Sequence, residues 1–337
     1  MKNPGSTLIE SGQLNPVTCT ESSLENRILP RVAQTKRAIP MANNLPRDKQ
    51  LSVLHLLLEG NSIRSVERLT GVALKTILRV MVRFGEGCQD FLDSAFHNLK
   101  LRHVQVDEIW TFVHTKQGHL KPQEKHNEEI GDQYLFLALD TDTKLIPAHM
   151  LGKRTGENAY CLLDNLRQRC DVVSQISTDG FGPYPQTVQN TFGNDTSHGV
   201  LIKNYADPKM GRYAPPKLIS TNRFDLGGIS DTRTICTSHV ERCNLTIRTF
   251  MKRFTRLALG FSKKRQNLAA AVAMHIAHYN FCRIHGSLRM TPAMKANVTP
   301  RLWSLADLFD AIEQAVWKKK RAARIDKMLA RMRSVLN

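Results

Sequence analysis

Hydrophobic positions recur at two different spacings along the chain. Leu51, Leu54, Leu57 and Leu58 fall on one helix face, then Ile63, Val66 and Leu69, then Leu74, Ile77, Leu78 and Met81. Glu59-Gly60-Asn61-Ser62 and Thr70-Gly71-Val72 separate these stretches, and Pro46-Arg47-Asp48 reads as a helix start. Two short helices joined by a tight Gly-containing turn, after a supporting helix, have the layout of a helix-turn-helix. The third helix then turns Lys75, Thr76, Arg79 and Arg83 away from its apolar side. Side chains of these types contact phosphates and base edges in a major groove.

From His103 the spacing becomes that of strands. Residues 104–113 are rich in Val, Ile, Trp and Phe. Strands at 134–139 and 144–151 follow, with Asp140-Thr141-Asp142-Thr143 as the turn between them. Residues 158–169 read as a helix with Leu162, Leu163 and Leu166 inward. A short buried strand at 172–177 then ends at Thr178-Asp179-Gly180. A helix at 184–191 and an edge strand at 200–203 complete this part. Residues 204–235, with Gly, Pro and charges but little periodicity, read as an insertion loop. Helices are expected at 238–256 and 264–282. Three antiparallel strands, a helix, a strand and then helices make the element order of an RNase H-like α/β domain: a mixed sheet with flanking helices.

The expected organisation is a flexible leader at 1–40 (with a short helix at 24–33), then an all-α helix-turn-helix domain at 41–98. A catalytic domain at 99–290, carrying the 204–235 insertion, and a basic helical segment at 291–337 follow. The stretch 317–337 carries KKKRAAR and places Ile325, Met328, Leu329, Met332 and Leu336 on one side of an amphipathic helix.

Charge adds a partner to this outline. Of 337 residues, 48 are Lys or Arg and 30 are Asp or Glu, a formal net charge of +18. The excess is concentrated: 20 basic residues and 4 acidic ones lie from Arg242 onward. Such a surface favours a polyanion, because each neutralised phosphate releases condensed counterions. Double-stranded DNA is preferred over a membrane surface. MKNPGSTLIE lacks the apolar core of a signal peptide, and the apolar run 268–277, with His275 inside it, is too short to span a bilayer. The 7 cysteines form no CxxC pair, which fits reduced thiols in a cytoplasm and offers no zinc-site spacing. A cytoplasmic, DNA-associated protein is expected.

The candidate chemistry lies in acids from separate segments. Asp107 sits inside the apolar strand VQVDEIWTFV, where an unpaired carboxylate is costly to bury, so a metal or cationic partner is implied. Glu108 should point to the opposite face, because strand side chains alternate, and Asp107 is therefore the candidate of the two. Asp179 follows a buried strand and precedes Gly180, at the strand end where ligands gather in open α/β sheets. Glu241 lies early in a long helix, with Asn244 and Arg248 on the same face. Such a row offers a metal ligand, a hydrogen-bond donor and a phosphate contact. Asp140, Asp195, Asp225 and Asp231 fall in turns or in the insertion and are weaker candidates. Three converging carboxylates suit Mg²⁺ or Mn²⁺, hard cations that take oxygen ligands.

The blocks DEIWTFV, LFLALDTDTKLIPAHMLGKRT, ISTDGFGPY and SHVERCNLTIRTFMKRFTRLALGFSK together resemble the catalytic domain of insertion-sequence-one-type DDE transposases over about residues 103–285. The resemblance implies an RNase H-like core with catalytic, metal-holding Asp107, Asp179 and Glu241, and with Asn244 and Arg248 as active-site neighbours. YNFCRIHGSLRMTPA is similar to the closing segment of integrase-like cores, which implies structural or substrate contacts for Tyr279, Asn280 and His285. Members of this family often carry a cysteine-rich zinc module. This sequence shows none, so zinc is not expected.

The function expected from all this is a transposase that binds element ends, hydrolyses a phosphodiester and joins the freed 3′-OH to target DNA. Lys252, Arg253, Lys263, Lys264 and Arg265 are expected to hold the strands, in at least a dimer, since two ends must meet. Two other classes share the acids or the charge: an RNase H-like nuclease or resolvase that cleaves without joining, and a DNA-binding regulator with a degenerate catalytic domain.

Overall fold

The computed structural model describes residues 45–206, 217–256 and 258–336. The leader expected at 1–40, with its helix at 24–33, lies outside them. In chain order the elements are α1 (Arg47–Leu58), α2 (Ile63–Thr70), α3 (Leu74–Ala95), β1 (Leu99–Val113), β2 (Gly131–Asp140), β3 (Ala148–Gly152), α4 (Gly156–Arg169) and β4 (Cys170–Thr178). Then come α5 (Tyr184–Phe192), β5 (Ser197–Ala206), β6 (Lys217–Gly227), α6 (Ser238–Phe250), α7 (Arg265–Phe281), α8 (Pro292–Lys295) and α9 (Leu305–Leu336).

Local chemistry explains the first three helices. Ser62 caps α2 by accepting the Ser65 amide, and Gly71 ends it in the left-handed region at φ 68°. The Glu67 carboxylate then accepts the Leu74 amide at 2.8 Å, joining the end of α2 to the start of α3. Helix α3 continues far beyond Met81, and its second half is built into the body of the protein. Leu54, Ile77, Met81, Phe84 and Leu92 belong to the same buried cluster as Leu268, Val272 and Ile276 of α7 and Leu308 and Ile312 of α9. Gly85 permits the closest approach: a Cβ there would lie 2.2 Å from the carbonyl oxygen of Ala270.

The described strands form one mixed sheet in the order β3-β2-β1-β4-β5-β6. β1 pairs antiparallel with β2 and parallel with β4, while β2–β3 is antiparallel, β4–β5 parallel and β5–β6 antiparallel. Gln105, Asp107 and Thr111 of β1 face α6 and the turn after it, whereas Glu108 faces α5. Helices therefore cover both faces of the central strand.

Four boundaries differ from those expected. Within 204–235, read as a loop, β5 runs on to Ala206 and β6 occupies Lys217–Gly227. Every β6 residue is exposed, so its two faces carry no contrast and the strand period leaves no trace in the sequence. β5 is consequently an inner strand rather than an edge. The helix expected to reach residue 256 stops at Phe250, and a turn at Lys252–Phe254 drives Phe254 into the core. The strand expected from 144 begins at Ala148, because Asp140 accepts the Thr143 amide (2.8 Å) and hydroxyl (2.6 Å) and holds a tight turn. Finally, the helix expected at 317–337 is the end of α9, which starts at Leu305. Among the described residues no helix is long and apolar enough to cross a membrane.

The α3–α7 contact gives a stability test. Gly85→Ala should cost about 1–3 kcal/mol, the usual penalty of overpacking. Gly118→Ala, where an added Cβ meets nothing within 4 Å, should be far milder. Urea melts of the two variants beside the parent measure the difference.

Candidate active site

The site forms where the central parallel strands part. β1 and β4 are paired only as far as Gln105 and Ser177, while β1 continues against β2 to Val113. Asp107 and Glu108 thus stand on a strand whose other edge has just been left open. Asp179 follows directly on the end of β4 and accepts the Phe181 amide at 3.0 Å, which turns the chain sharply. One carboxylate oxygen from each of Asp107, Glu108 and Asp179 lies within 4.8 Å of the others.

Glu108 points, as expected, to the face opposite Asp107, yet its carboxylate joins the group. Its Cβ does leave on the opposite face, but beside an open edge the side chain still reaches the neighbourhood of Asp107. It is held there by the Tyr184 hydroxyl at 2.5 Å and by Arg154 at 3.2 and 3.3 Å. Arg154 also lies 3.7 Å from Asp179 and stacks 4.2 Å above the Phe181 ring. Tyr184 is fully buried and packs edge-on against Phe181. Arg154 and Tyr184 went unassigned in the sequence although both fall in or beside the quoted blocks. Nothing in their local spacing ties them to Glu108.

The other face of the site is α6. Gln105 of β1 is fully buried, and its side-chain oxygen accepts the amides of His239 and Val240 at 2.9 and 3.0 Å. These amides belong to the first turn of α6, where no helical carbonyl is available to them. With its N-terminus gripped by β1, the helix delivers Asn244, which donates to Asp107 at 2.8 Å. Arg248 follows one turn later, close enough for the charge of Asp107 to counter the downward pull of burial on its pKa.

Glu241, expected as the third acid, sits one turn before Asn244 but is engaged elsewhere. It accepts the Thr237 hydroxyl at 2.6 Å and pairs with Lys203 of β5. It is outside the 4.8 Å group, although its charge is felt at Asp107. The Asp179 and Glu241 side chains are 35% and 43% exposed, against 3% for Glu108. The first two are therefore open to a ligand, and Glu108 is walled in.

Burial is the chief cause that lifts the Asp107 carboxyl to about 7, followed by the charges of Asp179 and Glu108. Burial, then Asp179, also raises Glu108, partly offset by Tyr184 and Arg154. Asn244 Oδ1 and Arg248 Nε, both buried, have no hydrogen-bond partner. A crowd of carboxylate oxygens with orphaned polar atoms beside it fits a hard divalent cation and its waters.

The remaining expected positions divide. Lys75, Arg79, Lys252, Lys263 and Lys264 are exposed, and Thr76 is half-buried. Arg83 is exposed but pairs with Glu313 of α9. Arg253, expected on the strand-holding surface, turns inward to Ser262 at 2.9 Å and Met81 at 3.4 Å, and burial lowers its pKa to about 10. Arg265 donates to the Leu151 carbonyl at 2.7 Å. Asn280 is fully buried and brackets both backbone groups of Ile146 at 3.0 Å, and Tyr279 is buried against Cys243. His285 binds Ser287 at 3.0 Å. Asp140 braces its turn, Asp231 pairs with Arg233, and Asp225 accepts two loop amides.

No protein-family model matches the sequence, and no curated protein matches it. Among solved structures, a cryo-EM structure of a piggyBac transposase synaptic complex with hairpin DNA is similar at 10% identity, with a TM-score of 0.36. The match covers 85% of this chain and 76% of that one. At that TM-score the likeness decides neither fold nor chemistry.

The raised Asp107 carboxyl makes stability depend on pH. The free side chain ionises near 3.8 and the folded one near 7, so the folded state holds the proton longer. Without divalent cations, the contribution of Asp107 to stability should therefore fall as pH rises from about 4 to about 7, against the opposite trend from His149, His198, His275 and His278, whose pKa values burial lowers. Asp107→Asn should remove that fall and exceed the parent above pH 7 by on the order of 1–2 kcal/mol. Denaturant melts in chelator across this range check it, and superimposable profiles would contradict it.

Proposed function

We propose that this protein is a DNA transposase, with an RNase H-like core that cuts a phosphodiester and joins the freed 3′-OH to target DNA. The observation that carries the proposal is the convergence of Asp107, Glu108 and Asp179 at the parting of two parallel strands, beside a helix bearing Glu241, Asn244 and Arg248. The mixed sheet order and the +18 charge support it.

Asp107 and Asp179 would hold Mg²⁺ or Mn²⁺, with Glu241 closing the set once it leaves Lys203. Two such ions, about 3.5–4 Å apart when bound, stabilise charge on both the entering and leaving oxygens of an in-line displacement. Asn244 keeps the Asp107 carboxylate in one orientation through its amide hydrogen. Arg248, half-buried one turn after Asn244, would present its guanidinium to a phosphate oxygen. Arg154 and Tyr184 fix Glu108, so the acids are oriented before substrate arrives.

In this assignment residues 41–98 act as a helix-turn-helix that reads the element ends, with Lys75 and Arg79 outward. Residues 99–290 do the chemistry, and 291–337 add a basic helix. At least two protomers bring two ends together.

The test is a strand-transfer assay with Mg²⁺ and duplexes carrying the terminal repeats that flank the gene. Asp107→Ala and Asp179→Ala should lose about three orders of magnitude or more in rate while still binding DNA. Glu241→Gln should behave similarly, and full activity in Asp107→Ala would refute the assignment. Cleavage with no joined product in the parent protein would instead make it a nuclease. In binding assays Lys75→Ala and Arg79→Ala should each weaken affinity and reduce the salt slope by about 1.

A further inference from the structure

We infer that the cleft between the α1–α2 turn and the segment after α6 receives a single nucleobase extruded from bound DNA. It rests on the DNA-handling role proposed above and adds to it a site away from the acids. The cleft has a volume of about 520 Å³, and its walls include Leu58, Leu78, Phe250, Phe261 and Met274. This size and apolarity suit a small flat organic group.

The rim identifies the class of occupant. Arg64, Lys252 and Lys263 stand exposed around the opening, and Arg253 lies half-buried at its side. Among the described residues no Asp or Glu lines the cleft. An apolar slot with a cationic, acid-free rim complements a polyanion, and the apolar parts of DNA are its bases. A base enters such a slot by rotating out of the stack, while its flanking phosphates stay on the rim. Phe250 and Phe261 line the cleft, each with one ring face already covered, by Arg283 and by Phe112, so a stacked base would meet the other face.

Two polar side chains, His275 and Asn267, also line the cleft. His275 of α7 is 4% exposed, and its Nε2 has no hydrogen-bond partner. Burial keeps this imidazole neutral, so it has one donor and one acceptor nitrogen. Asn267, two turns earlier on the same helix, is half-buried and lines the same cleft.

Position links the cleft to the chemistry. Phe250 lies six residues after Asn244 on α6, roughly 9 Å along the axis. That is about three nucleotides of one strand. The extruded base would thus come from DNA close to the cut.

The experiment uses the full-length protein and end duplexes in which a fluorescent base analogue, bright when unstacked, is moved along each strand. The expected result is one position near the cut that brightens on binding. Asn267→Trp, which fills the cleft, should bind intact duplex about tenfold more weakly, the scale of one base–ring stack. An abasic nucleotide at the responding position should restore its affinity. If the parent protein binds duplex with no position brightening, the inference is overturned while the transposase assignment stands. The same holds if folded Asn267→Trp binds intact duplex as the parent does. If the variant changes only self-association or peptide binding, the cleft serves a protein partner and the inference is likewise overturned. Should Asn267→Trp fail to fold, the scan on the parent protein alone decides. No DNA binding at low salt by the parent would overturn both.

Discussion

The crowding of three carboxylates at the parting of β1 and β4 is the constraint on which the rest of the structure depends. Bringing Asp107, Glu108 and Asp179 within 4.8 Å sets like charges against one another in a half-buried place. No packing preference asks for that. The fold tolerates it by supplying Arg154 and Tyr184 on one face and Asn244 on the other. Proteins keep such arrangements where function requires them, because strain of this kind is tolerated only when surrounding structure over-determines it.

The supporting interactions run outward from that point. Gln105 clamps the start of α6, and α6 in turn presents Asn244 and Arg248. Thr111, on the same face of β1, donates to the Arg253 carbonyl at 2.5 Å and fixes the turn after α6. Arg253 itself reaches Met81 of α3, and Gly85 brings α3 against α7. The N-terminal helices and the α/β body are therefore one packed structure over the described residues, with α9 tied to the N-terminal helices through Arg47–Asp310 and Arg83–Glu313. A consequence is that α3 and the turn after the helix that carries Glu241 are in direct contact.

Much of the framework was legible in the sequence because its elements bury one face. The spacing of Leu51 to Met81 marks three helices, and the apolar run around Asp107 marks a strand, since burial imposes the period that is read. β6 was hidden because both of its faces are exposed. Asp107 and Asp179 were legible as acids at a strand and a strand end. Glu108 was not, because alternation gives the direction of a Cβ and not the reach of a side chain past an open edge. Arg83 and Arg253 show the same limit for charge: composition marks them as basic, but only packing reveals that one is paired and the other turned inward. Glu241 is an intermediate case, on the expected helix face yet held by Lys203.

The central claim is that the acid cluster is a divalent-cation site built from Asp107 and Asp179. The most direct measurement is a titration of the full-length protein with Mn²⁺, followed by electron paramagnetic resonance, for the parent and for Asp107→Asn and Asp179→Asn. The expected result is saturable uptake by the parent that is lost in both variants while their folded spectra are unchanged. Equal uptake by all three proteins, or none by the parent, would contradict it.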